Sequence, residues 1–285
     1  MFPSSFEYQR AGSVAEAVAL LGKNSDAKLI AGGHSLLPAM KLRLAQPSLL
    51  IDISHIKDLQ GIRQNDDGTV AIMALTTHTE VAASSLSPKA LRDAASQIGD
   101  MQVRNRGTFG GSISHADPAA DYPAVLLALA AHLRAEGPGG ARVILADDFF
   151  TDLFTTALKP DEVLIGARFG PKPAGRVGTA YVKHAHPASG FAVVGVAAGV
   201  AVDASGTISV ARVAVTGACA KAQHLKATEA ALAGKKFDAA AIKTAAAANN
   251  NLTCLSDTYA SADYRAHLTG VLAKRALESC LARLA

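Results

Sequence analysis

Between Val103 and Leu129 the chain runs VRNRGTFGGSISHADPAADYPAVLLAL, a polar, arginine-bearing segment that breaks at a Gly-Gly pair and passes into a continuous apolar run. The apolar part, Ala119 to His132, carries hydrophobic residues round most of a helical surface. It predicts a buried helix, with Asp117 as N-cap and Pro118 at its first position. The segment ahead of it, Thr108-Phe109-Gly110-Gly111-Ser112, predicts a loop. A similar loop lies upstream, Ala31-Gly32-Gly33-His34-Ser35, between a predicted strand at Lys28–Ala31 and the segment Leu36–Ala45. Glycine admits positive φ and lets a solute approach the main chain, and a row of backbone N–H groups can hold an anion. Either loop alone reads equally as a tight turn. Two in one domain, facing each other, form a clamp suited to a diphosphate, with Thr108 and Ser112 as hydroxyl donors. Neither carries the Gly-Lys-Ser/Thr of a phosphate loop or the GxGxxG fingerprint, so the pattern suggests dinucleotide binding without a Rossmann fold.

Working outward, Val14–Leu21 predicts an amphipathic helix, Leu49–Ile53 and Val70–Leu75 strands, and Pro88–Ile98 a helix. Val163–Phe169 predicts a strand, and the glycine- and proline-rich GPKPAGRVG at 170–178 marks a domain boundary. Beyond it, Phe191–Val202 and Ile208–Thr216 read as strands joined by a turn at Asp203–Gly206. Three helices follow, including Ala239–Ala248 and a long one from Ala262 to Leu284. Strands followed by helices indicate an α+β fold. The expected division is 1–174, with subdomains of about 1–55 and 56–174, and 175–285.

The chain has 285 residues, 49% hydrophobic and 18% charged, enough apolar character to bury a substantial core and exclude a disordered tail. Its net charge is +4, and no basic run exceeds two residues, which argues against a nucleic-acid partner. Cys219, Cys254 and Cys280 are far apart in sequence, unlike the ligands of a zinc site or an iron–sulfur cluster, and are expected to be reduced thiols. His34 and His115 have no cysteine or carboxylate at ligand spacing, so no metal site is predicted. No nucleophile or acid–base pair stands out as catalytic. The apolar run Phe191–Val202 is too short to span a bilayer, and no basic segment precedes an apolar core at the N-terminus, so a cytoplasmic protein is expected. Tryptophan is absent and aromatics make up 5%, so a large planar ligand is expected to rest on backbone and aliphatic surface.

Three stretches together carry a family resemblance: AGGHSLLPAMKLRLA at 31–45, the 103–129 stretch, and SDTYASADYRAHLTGVLAKRAL at 256–277. They resemble the FAD-binding medium subunit of the molybdenum hydroxylases, the group that includes carbon monoxide dehydrogenase, xanthine dehydrogenase and aldehyde oxidoreductases, and the likeness runs from about Phe6 to Leu284. It implies a vanillyl-alcohol-oxidase-like FAD-binding domain of two α+β subdomains and a C-terminal domain of a three-stranded antiparallel sheet with helices. It also implies FAD contacts at Ala31, Gly32, Gly33, His34 and Ser35, at Thr108, Phe109, Gly110, Gly111 and Ser112, and at Ile98, Gly99, Asp121, Leu164 and Lys183, with Phe191 over the ring. From the residues alone, Asp121 is equally a carboxylate favoured by a helix N-terminus. Leu164 and Phe191 are equally core residues of strands, and Lys183 equally a solvated charge.

The sequence departs from the family pattern in places. Phe109 replaces a smaller aliphatic residue, Ser112 a frequent Asn, and Pro187-Ala188-Ser189-Gly190 an Arg and an Asp. Phe191, lacking a hydroxyl, can shield a ring but cannot donate a proton. The implied partners are a large molybdopterin-binding subunit and a small subunit with two 2Fe-2S clusters in a doubled heterotrimer, with electrons passing to an external acceptor. Association with a membrane through those partners stays open. The alternatives are a free-standing flavin oxidoreductase of the same fold and a structural subunit without flavin.

Overall fold

Strand β1 (Glu7–Arg10), helix α1 (Val14–Lys23) and strand β2 (Lys28–Ile30) open the chain, followed by α2 (Leu36–Lys41) and β3 (Leu49–Asp52). The strands form a parallel sheet in the order β1-β3-β2. Helix α1 starts where it does because the Ser13 hydroxyl accepts from the Glu16 amide at 3.1 Å, and it buries Ala17, Val18 and Leu21. This computed structural model describes residues 1–171 and 173–284. Lys172, inside the predicted boundary stretch, and Ala285, the expected end of the second domain, lie outside the described residues.

The second sheet is antiparallel. It joins β4 (Ile62–Gln64), β5 (Val70–Met73), β6 (His132–Gly137) and β7 (Gly140–Leu145) to β10 (Val163–Phe169) in the order β4-β5-β10-β6-β7, while β8 (Phe150–Asp152) and β9 (Thr155–Thr156) pair apart. Central β10 ties the two sheets together through the period of two along a strand. Val163 and Ile165 enter the hydrophobic cluster of the first sheet, whereas Leu164 enters that of the second. A register shift at Gly166 then turns Ala167 and Phe169 to the same face as Leu164. Short helices fill the stretch between β5 and β6: α3 (His78–Ala83), α4 (Lys89–Ser96), α5 (Met101–Arg106), α6 (Phe109–His115) and α7 (Tyr122–Ala128); α8 (Ala146–Phe149) follows β7.

In the C-terminal part, β11 (Arg176–Ala185), β12 (Ala192–Val202), β13 (Ile208–Thr216) and β14 (Gln223–His224) form an antiparallel sheet in sequence order. Helices α9 (Lys226–Leu232), α10 (Ala239–Ala246) and α11 (Ala262–Ala282) accompany it, and α11 lies along β11 and β12. Helix α11 buries Thr269, Leu272, Ala273, Ala276, Leu277 and Cys280, at the three- and four-residue intervals of one helical face. The sheet has four strands where three were expected; the fourth, β14, is only two residues long.

Two further expectations are corrected. The predicted helix over 119–132 is confined to Tyr122–Ala128. Its first residues are taken by other partners: the Asp117 carboxylate accepts from the Ala119 amide in a tight turn instead of capping a helix, and the carbonyls of Pro118, Ala119 and Ala120 accept from Gly217, Ala192 and Thr216 of the C-terminal part. At the other end Ala130 turns left-handed and β6 begins at His132. Residues 109–112 are not a loop but the opening of α6, capped by Thr108, whose hydroxyl accepts from the Gly111 amide at 3.2 Å.

Candidate functional site

The first glycine segment keeps its loop. After β2 the chain turns at Gly33, whose φ of +74° is a left-handed conformation that glycine adopts without strain. Beside it, Gly32 is pressed so closely against residue 106 that a Cβ there would meet the Arg106 carbonyl. The His34 ring donates from Nδ1 to the Gly32 carbonyl at 2.8 Å and braces the turn. Among the described residues, the amides of Gly32, Gly33, His34 and Ser35 have no hydrogen-bond acceptor. The Ser35 side chain makes no capping bond to α2. Four successive unsatisfied N–H groups form the nest an anion needs.

Against Gly32 and Ala31 lies a cleft of about 210 Å³, which Ser54, Gln60, Thr77, Asn105, Arg106 and Thr108 also line. Thr77 and Glu80 form a capping box at the start of α3, in which Glu80 accepts from the Thr77 amide at 2.7 Å. The T-x-x-E at 77–80 could have exposed that feature in the sequence, whereas Ser54 and Gln60 carry no local signal. Arg104 and Arg106 have no carboxylate partner among the described residues, and of the two it is Arg106 that lines the cleft. Below them His78 is buried, sharing a 2.9 Å hydrogen bond with the Tyr122 hydroxyl and donating its amide to the Gly107 carbonyl. Burial, reinforced by the nearby charges of His34 and Arg104, pushes its pKa down to about 4.

Thr108 lines the same cleft, and the amides of the four residues after it are already spent. The Phe109 amide donates to Thr76 at 2.8 Å, Gly110 to Ala74 at 2.7 Å, Gly111 to the Thr108 hydroxyl and Ser112 to the Thr108 carbonyl. Phe109 packs edge-on against Tyr122, with ring centroids 5.1 Å apart, and is fully buried, as is Gly110. The expected clamp of two open amide rows is therefore one open row facing a helix start.

Asp121, Lys183, Ile98, Gly99 and Phe191 gather at a second place. The Lys183 ammonium binds Asp121 at 2.9 Å and donates to the carbonyls of Gln97 at 2.8 Å and Gly190 at 2.7 Å. Tyr181 donates to Asp121 at 2.6 Å. Both members of the ion pair are nearly inaccessible, so Lys183 is not a solvated charge. Burial raises the Asp121 pKa, and the Lys183 ammonium opposes that shift. Through this pair, β11 holds the turn at Gln97–Gly99 beside Gly190. Arg104 fixes the same turn from α5 by donating to Ile98 and Gly99 at 3.1 and 2.9 Å.

Phe191 follows Gly190 and is 46% exposed, so it is not a core residue. Leu164 is 5% exposed within the main hydrophobic cluster of β10, apart from both groups. A larger cleft, about 290 Å³, opens around Asp147, Arg212, His224 and Glu229, and none of the predicted site residues lines it. Four of its polar side chains pair with one another: Arg212 with Asp147 at 2.6 Å, and His224 with Asp147 at 2.9 Å and Glu229 at 2.7 Å.

An open amide row, Arg106 at the cleft without a carboxylate partner among the described residues, and a cleft that admits close backbone approach fit a diphosphate-bearing cofactor. Comparison with known proteins agrees. The family described as "FAD binding domain in molybdopterin dehydrogenase" matches residues 4–169, and "CO dehydrogenase flavoprotein C-terminal domain" matches 179–280. The carbon monoxide dehydrogenase medium chain of Hydrogenophaga pseudoflava is 43% identical over the whole of both chains, and a solved structure of that organism's enzyme superposes with a TM-score of 0.92. The nicotine 6-hydroxylase medium subunit of Paenarthrobacter nicotinovorans is 34% identical over 98% of each chain. Quinoline 2-oxidoreductase from Pseudomonas putida 86 matches with a TM-score of 0.90 and 30% identity over 98% of each chain. The backbone, the nest and the two family matches together place this chain among the FAD-binding medium subunits of the molybdenum hydroxylases.

Proposed function

We propose that this chain relays electrons within a heterotrimer, from two 2Fe-2S clusters of a small subunit to an external acceptor, while a large molybdopterin-binding subunit carries out substrate chemistry. The heterotrimer is doubled, and the assembly is cytoplasmic, with any membrane contact made through its partners. FAD, the cofactor of this family, supplies the exchange between single and paired electrons. The chain itself binds and orients. The amides of Gly32–Ser35 hold the diphosphate, and Arg106 offsets its charge. Thr108 and Ser112 close the other side by their hydroxyls, with Phe109, Gly110 and Gly111 as the rigid wall beneath. Ile98, Gly99 and Phe191 border the ring, and Lys183 and Asp121 fix that border from behind. Leu164 supports the floor through the β10 core. The same reading divides the chain at residue 174, with subdomains meeting near residue 55.

The observation that carries this proposal is the row of four unsatisfied amides at Gly32–Ser35. Its test is to purify the chain alone and together with both partners. The isolated chain is expected to carry about one FAD, visible by blue-region absorption, yet to leave carbon monoxide, aldehydes and purines unoxidised, with turnover appearing on co-expression. Substrate turnover by the isolated polypeptide would overturn the relay role.

A further inference from the structure

Cys219 and Cys254 are distant in sequence, but the fold sets them directly opposite each other as an isolated antiparallel bridge beyond the end of β13. The Leu255 amide donates to the Ala218 carbonyl at 2.8 Å, which makes the cysteines the non-hydrogen-bonded pair of that bridge. Such pairs bring their Cα atoms to about 4.5 Å with side chains on one face, inside the roughly 4.4–6.8 Å range that a disulfide spans. The two thiols are close enough to hydrogen-bond, and both are free. Cys219 is buried and Cys254 half-buried, so an oxidant reaches the pair through Cys254. Cys280 lies elsewhere, fully buried on the inner face of α11, with its thiol directed at the Ala198 carbonyl.

We propose that Cys219 and Cys254 form a two-electron redox pair that closes to an intrachain disulfide on exposure to a peroxide. The Cys254 thiolate attacks the peroxide O–O bond, which breaks to leave a sulfenic acid on Cys254 and release one water. The Cys219 sulfur then attacks that sulfenic sulfur, the S–S bond forms, and the hydroxyl leaves with a proton as a second water. In sum, the two thiols lose two hydrogens and the peroxide is reduced to two waters. Burial pushes the Cys219 thiol up to about 11 and raises that of Cys254, so closure is slow and needs sustained oxidant. The bond would tie the end of β13 to the segment that carries Asp257 and Tyr259. Asp257 pairs with Arg265 at 2.5 Å, and the Tyr259 ring lies 4.4 Å from the His186 ring. The His186 amide in turn donates to the Phe191 carbonyl at 2.8 Å. Closure therefore stiffens the support of the turn before β12.

The test treats the reduced full-length chain with hydrogen peroxide, counts free thiols after denaturation, and maps unreduced peptides by mass spectrometry. The thiol count should fall from three to one, with a linked peptide pair joining Cys219 to Cys254 that is two hydrogens lighter than its thiol form. Dithiothreitol should restore the count. Cys280→Ser should still close the bond, whereas Cys219→Ser and Cys254→Ser should form no intrachain link. Three persisting thiols, oxidation of Cys254 to a sulfinic acid without a link, or links only between chains would each overturn the proposal.

Discussion

Ala31–Ser35 and Thr108–Ser112 carry the same Gly-Gly pair, yet their amides meet opposite fates. The first segment leaves four N–H groups unpaired beginning at Gly32 on the cleft wall, while in the second the amides of 109–112 go to Thr76, Ala74 and the cap residue Thr108. The difference is tertiary: the turn after β5 offers the Thr76 and Ala74 carbonyls to the amides of residues 109 and 110, whereas among the described residues no carbonyl accepts from the amides of 32–35. Glycine permits a nest, but the neighbours decide whether the nest stays open. In the second segment Gly110 serves close packing instead, its Cα lying against Ala74.

This asymmetry predicts unequal responses to the same substitution. Gly33→Asp is expected to lower FAD affinity at least about thirtyfold, because left-handed strain costs ~1–2 kcal/mol and a carboxylate beside a phosphate adds ~1–4 kcal/mol. FAD content after gel filtration measures it. The next largest effect is acid-dependent and falls on the second segment. His78 has a folded pKa of about 4, below its ordinary value of about 6.5. Below about 6.5 the unfolded chain takes up a proton that the folded site refuses. The stabilisation is therefore complete above that pH and is lost progressively down to about 4, by up to ~3 kcal/mol. Since the His78 amide holds the Gly107 carbonyl, acid should loosen residues 107–112 before 31–35. His78→Gln should flatten the dependence of Tm on pH over that window.

A smaller effect concerns the ring side. Phe191→Ala removes an exposed ring with few contacts to lose, so FAD content should hold while reoxidation changes several-fold by stopped-flow absorbance. The smallest is Gly111→Asp. The Gly111 amide is already bonded to Thr108, and the new Cβ need only displace the Thr108 hydroxyl. The cost is about 1 kcal/mol of helix capping, with FAD affinity falling less than about tenfold. Equal loss of FAD in the Gly33 and Gly111 variants would erase the contrast between the two segments.

Much of this was legible where local pattern and tertiary demand coincide. The strands Val163–Phe169 and Ile208–Thr216 lie at the residues that their apolar runs predict, because β10 is buried on both faces from Val163 to Ala167 and β13 buries its last four residues, Val213 to Thr216. The predicted helix over 119–132 failed for the opposite reason. Its periodicity was real, but the carbonyls of Pro118, Ala119 and Ala120 are claimed by the C-terminal part, a demand invisible to any local window. The same blindness hid the fate of the amides at 109–110 and the burial of Lys183, whose partners Asp121, Gln97 and Gly190 come from three separate segments. Glycine positions show where backbone can approach a ligand, but not which amides remain free.

Amide hydrogen exchange in the FAD-loaded and FAD-stripped chain, resolved at residues 31–35 and 107–112, tests the central claim most directly. If the first segment alone offers open amides to the diphosphate, FAD should slow exchange at Gly32–Ser35 by at least about tenfold, the scale of one net hydrogen bond. Residues 109–112, already bonded within the protein, should change little. Protection confined to 109–112, with 32–35 exchanging equally fast in both states, would contradict the account.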